Sequence, residues 1–138
     1  MQKKLIVADV CFLIVHSSFT NSQTPVTLES IYAERVSEGY SDVGYHYLID
    51  RDGKAHKGVP IDREGSHTPR FADRAIGVLM AGGKGSRGKP SDNYSKEQKH
   101  RLAIIIAALQ VTYQDIKVLG AGEVLGGTSP HFELGIYK

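Results

Sequence analysis

The chain has 138 residues, enough for one domain around one core and too few for two well-packed ones, so we read residues 1–138 as a single unit. Seventeen Lys and Arg stand against 15 Asp and Glu, and a net charge of +2 gives no bulk reason to expect direct nucleic-acid binding. Cys11 is the single cysteine, which excludes an internal disulfide framework and points to a reducing compartment, the cytoplasm.

The opening MQKKLIVADVCFLIVHSS carries Asp9 inside its apolar stretch and no small-x-small cleavage pattern follows, so it reads as the approach to a core strand rather than a secretory signal. No segment reaches the roughly 18–20 apolar residues needed to span a bilayer, and no membrane partner is expected. FLIVH at 12–16 is a short continuous apolar run, which predicts a buried strand with His16 at its C-terminal end. From Thr27, a capping residue, Leu28, Ile31, Tyr32 and Val36 fall at helical spacing, and Gly39 closes the helix. The stretch VGYHYLIDRDGKAHKG at 43–58 predicts a hairpin around Asp52-Gly53, with Tyr45, Tyr47 and Ile49 on one face and His46 and Leu48 on the other.

AIGVLMAG at 75–82 predicts another buried strand. The following GGKGSRGKPSDN lacks the spacing of a phosphate-binding loop and reads as a flexible basic connector, with Lys84, Arg87 and Lys89 available to rim an anionic ligand. Ser95 and Gln98 form a capping-box pattern, and Leu102, Ile105, Ile106 and Leu109 mark one face of a helix running to about Tyr113. IKVLGAG then resumes as a strand. This alternation predicts an α/β domain, a central mixed β-sheet flanked by helices.

Six histidines are present without CxxC, HxxxH or HExxH spacing. His100 and His56 read as solvated and His46 as a hydrogen-bonded core residue. Only His16, His67 and His131 fall near loop ends where a cleft would form. The residues by themselves stop there.

Taken together, IVHSS, DVGYHYLIDRDG, GSH, AIGV and the closing EV-x5-PxF resemble the zinc-dependent N-acetylmuramoyl-L-alanine amidase family, whose phage members share their fold with animal peptidoglycan recognition proteins. The resemblance runs from about residue 12 to 136. It implies a zinc ion held by two histidines and a cysteine, with a water in the open position. The first histidine matches His16, but Ala121 occupies the second position and Ser129 that of the cysteine. The family's catalytic tyrosine matches Tyr45, which would serve only in an active enzyme, and its lysine is replaced by Gly127.

With His16 the sole retained ligand, the expectation is no cofactor and no metal-based catalysis. If the segments after β-strand IKVL and around Pro130 are extended, Glu123 and His131 project beside His16 and form a substitute His-Glu-His set. That reading keeps an active amidase with a non-standard metal site as the alternative. The preferred expectation is an inactive amidase-fold protein of phage type, acting in the host cytoplasm, that uses the former substrate groove to bind a ligand. Muropeptide is the conservative choice and a small anionic, nucleotide-like molecule the variant, favoured by Arg70, Arg74, Lys84 and Arg87. The ligand-binding candidates are His16, Tyr45, His67, Arg70, Ala121 and Ser129. A third expectation, from phage relatives, is a protein partner such as RNA polymerase.

Overall fold

A computed structural model describes residues 2–137. Five strands form one sheet in the order β3-β2-β4-β1-β5. They are β1 (Phe12–Ser17), β2 (Tyr47–Ile49), β3 (Ala55–Lys57), β4 (Ala75–Met80) and β5 (Lys117–Gly120). The pairs β1/β4, β1/β5 and β2/β4 are parallel and the β2/β3 hairpin is antiparallel, so the sheet is mixed as the element pattern predicts. Every residue of β4 is buried, as a strand covered on both faces should be.

Side-chain alternation along β1 divides the core. Leu13 and Val15 join Ile76, Val78 and Met80 under helix α2 (Lys96–Thr112), which contributes Leu102, Ile105, Ile106 and Leu109. Ser95 and Gln98 cap α2 reciprocally, and the fully buried Gln98 amide also donates to the Ala81 carbonyl at 2.8 Å, fastening the helix to the end of β4. On the opposite face, α1 (Leu28–Ser37) packs Leu28 and Ile31 over Leu48 and Leu79, while α3 (Ala121–Leu125) brings Ala121 and Val124 to Ile14. His16 follows Ile14 on this face, between the patches that α1 and α3 cover.

Three local expectations are corrected. The buried stripe of α1 is Ile31 and Arg35, whereas Tyr32 and Val36 are about half exposed; an i, i+4 step from Ile31 carries the stripe to Arg35, away from the apolar pair. Tyr45 does not share a face with Tyr47 and Ile49. The chain bends at His46 before β2 begins, so Tyr45 joins the Leu48 cluster while Tyr47 and Ile49 join the other. Finally, the strand predicted through IKVLGAG stops at Gly120 and turns directly into α3.

Candidate functional site

Four rings meet at the end of β1. The His16 ring centroid lies 5.2 Å from Tyr45 and 5.8 Å from His67, and His67 lies 5.6 Å from His46. This crowding requires Gly77, because a Cβ there would overlap the His67 ring; a glycine inside a buried strand is the one sequence signal that marks the close approach.

The hydrogen bonds fix how these rings are protonated. His67 Nε2 lies 3.3 Å from the Ala75 carbonyl, which can only accept, so Nε2 carries the hydrogen and Nδ1 is an acceptor. The Thr68 hydroxyl, 2.8 Å from that Nδ1, therefore donates to it. Its single hydrogen is then spent, and its oxygen accepts from His16 Nε2 at 2.9 Å. Thr68, fully buried, is thus a one-way relay between two imidazoles, and sequence reasoning missed it. His46 is fixed likewise, with Nδ1 accepting from the Gly77 amide at 3.0 Å and Nε2 donating to the Arg63 carbonyl at 2.7 Å.

Burial dominates the electrostatics. It lowers the His16 pKa from 6.5 to about 4, with the nearby Arg35 guanidinium adding to the effect. Burial also holds His67 well below its usual value, followed by the positive charge that His46 and His16 would carry. Burial raises Tyr45, partly offset by Arg35. Arg35 is itself buried, donating to the Ser66 carbonyl and hydroxyl at 2.7 and 2.6 Å and lying 3.7 Å over the Tyr40 ring. The rings are consequently neutral at pH 7.

The sequence-derived candidates divide into two sets. His16, Tyr45, His67, Ala121 and Ser129 do converge on the end of β1. Ser129 Oγ accepts the Ser17 amide at 3.1 Å, and Ala121 packs against Ile14 with 3 % of its surface exposed. His16, His67 and Ala121 are all buried, so they shape the site from behind. Arg70 is exposed on the 3-10 turn Pro69–Phe71 that follows Thr68, and Arg74 is engaged with Asp73 and the Phe71 ring. A cavity of about 410 Å³ lies elsewhere, between α1 and the hairpin, and is lined by Leu28, Tyr32, Asp42, Val43, Lys57 and Pro60. A cavity of about 280 Å³ abuts Ser129 and Gly127.

The residues present do not compose the zinc centre that the resemblance implies. Among the described residues, no group of three or more His, Cys, Asp or Glu side chains is placed to hold a metal ion. The substitute set fails on its premise of extended chain: Glu123 is inside α3, where its carboxylate accepts the Gly120 amide at 2.6 Å and caps the helix. His131 Nδ1 is engaged with the Thr128 hydroxyl at 2.9 Å, and the ring lies against Phe19.

Comparison with known proteins gives a consistent result. The sequence model of the N-acetylmuramoyl-L-alanine amidase family matches residues 7–131. The endolysin of Klebsiella phage KP32 is 30 % identical over 122 residues, covering 88 % of this chain and 81 % of the phage protein. In fold, the chain is similar to the N-acetylmuramoyl-L-alanine amidase LysC from Clostridium intestinale, with a TM-score of 0.79 at 22 % identity over 94 % of this chain and 83 % of that one. It is also similar to human PGRP-IBETAC in complex with glycosamyl muramyl pentapeptide, with a TM-score of 0.76 at 19 % identity, covering 94 % and 81 %.

Proposed function

The chain belongs to the N-acetylmuramoyl-L-alanine amidase family, and from that premise we propose that it binds peptidoglycan fragments without hydrolysing them through a metal-bound water. The observation that carries this reading is the donor set at the end of β1. His16 donates through Nε2 to Thr68 and keeps a single lone pair, on Nδ1, Ala121 offers no lone pair, and the Ser129 hydroxyl is a hard, neutral oxygen already accepting a backbone amide. A family member with one imidazole where three ligands stand has lost the means to activate water, while the surrounding fold is complete.

Retention of Tyr45 beside His16 supports a ligand at this surface. The Tyr45 ring is half-buried, its hydroxyl stays protonated because burial raises its pKa, and it is suited to donate to a carbonyl or accept from an amide of a bound peptide. Muropeptides carry both groups. The family resemblance and the recognition protein solved with a muramyl pentapeptide support that ligand over a nucleotide-like anion, and the Arg74 charge is already paired with Asp73.

Two assays test the reading. Isothermal titration with muropeptides should give saturable binding that is unchanged by chelator. Purified cell walls incubated with the protein should release no L-alanine peptides, with or without added zinc. Chelator-sensitive release would overturn the proposal.

A further inference from the structure

Helix α2 is apolar on two sides. Leu102, Ile105, Ile106 and Leu109 point into the core, while the outer side carries Ala103, Ile104, Ala107, Ala108 and Val111, all exposed, with Ile104 at 42 % and Val111 at 78 %. No charged residue lies between Arg101 and Asp115. A helix that is apolar all round is ordinarily covered all round. Helix propensity does not account for the outer side, because exposed Ile and Val form helix less readily than Lys, Glu or Gln. The neighbouring segments reach only its flanks. On one, the Tyr137 hydroxyl donates to the Lys99 carbonyl at 3.3 Å; on the other, Arg101 Nε donates to the Gly53 carbonyl at 2.9 Å.

This outer face is complementary to itself. A second α2 laid antiparallel about a two-fold axis between Ala107 and Ala108 sets Ile104 on the partner's Val111 and Ala107 on the partner's Ala108, so the small side chains fall at the crossing, where two helices come closest. The charges agree with that orientation. Arg101 bounds the apolar stretch at one end and Asp115 at the other, and both are exposed. An antiparallel copy brings opposite charges together at both ends and opposes the two helix dipoles, whereas a parallel copy sets Arg101 on Arg101 and Asp115 on Asp115.

We propose that the outer face of α2 joins two copies of this chain in a weak, antiparallel dimer. From Ala103 to Val111 the helix rises about 12 Å and is about 10 Å across, a footprint well short of the roughly 800 Å² per partner of a stable complex, so the pair forms and separates reversibly. Helix α2 covers the sheet face opposite the one that carries His16, and pairing therefore leaves both ring clusters open. Resting on the peptidoglycan-binding reading above, the dimer is bivalent. A polymer of repeating units engages both sites at once, and the second contact, made at high effective concentration, holds the pair about tenfold or more tighter than one site alone.

Sedimentation velocity tests the pairing. Between about 10 µM and 1 mM the wild type should exchange between monomer and dimer, with a midpoint of about 100 µM. Ala107→Glu puts a charge at the centre of the contact and should stay monomeric throughout, yet unfold at the wild-type temperature because the position is exposed. Arg101→Glu and Asp115→Arg should each weaken association about tenfold, and the two together should restore it, which a merely sticky surface would not do. A wild type that is monomeric at 1 mM, an Ala107→Glu dimer, or a double variant that stays weak overturns the pairing. On insoluble cell walls loaded near the midpoint, Ala107→Glu should be retained about tenfold less tightly than wild type while binding a soluble muropeptide equally well. Equal retention of the two proteins refutes bivalency. If the wild type dimerises but binds neither walls nor muropeptide, the peptidoglycan reading fails and the dimer stands.

Discussion

Thr68 offers the sharpest perturbation of the site. Its hydroxyl bonds two buried imidazoles, at 2.9 Å to His16 and 2.8 Å to His67, and the residue has no exposed surface. Thr68→Val keeps the shape and removes the oxygen, so no cavity opens and no packing is lost. It leaves the His16 Nε2 hydrogen and the His67 Nδ1 lone pair without partners. Each orphaned buried group costs about 1–3 kcal/mol, and two together cost about 2–6 kcal/mol. Against a typical stability of about 5–15 kcal/mol this is a large fraction. With a urea slope of about 2 kcal/mol per molar, the midpoint should fall by about 1–3 M at unchanged slope. Thr68→Ser keeps the relay and loses only a methyl, so it should cost about 1 kcal/mol. Urea unfolding followed by far-UV circular dichroism reads all three proteins. A valine variant within about 0.5 kcal/mol of wild type, or a serine variant less stable than the valine one, would refute the one-way relay and the tautomers assigned from it.

Three further outcomes are expected. Because the folded-state pKa of His16 is lowered from 6.5 to about 4, the unfolded chain takes up a proton first as pH falls, so stability should drop between pH 6.5 and 4, the part due to His16 being complete below that range. His16 contributes about 3 kcal/mol of that loss. His46 and His67 act in the same direction, and His16→Gln should flatten the urea midpoint measured against pH. Gly77→Ala drives a Cβ into the His67 ring and should cost about 1–3 kcal/mol by thermal unfolding, while Gly39→Ala, with nothing near its Cβ, suffers only backbone strain. Protein purified without chelator should contain no stoichiometric zinc by elemental analysis; one tightly bound zinc per chain at His16 would refute the reading of the donor set.

Much of the fold is legible in the sequence because its signals are local. The apolar runs of β1 and β4, the Asp-Gly hairpin and the Ser95–Gln98 cap each depend on residues a few positions apart, and the structure contains all of them. Where a local signal competes with tertiary contact, it misleads. Tyr32 and Val36 look like core and are exposed, because Arg35 takes the inward position to reach Ser66. Tyr45 looks like a partner of Tyr47 and instead joins His16, because a bend at His46 resets the alternation.

The sequence alone carried the family motifs and the identities of Ala121 and Ser129, which are chemical facts independent of folding. Only the tertiary structure could decide which partners those residues take. That decision lies in pairs far apart in the chain, such as Ser17 with Ser129 and His16 with Thr68, whose distances are set by strand register and loop closure. It also set Glu123 aside as a helix cap, because whether residues two apart share a face depends on whether the chain is extended or coiled.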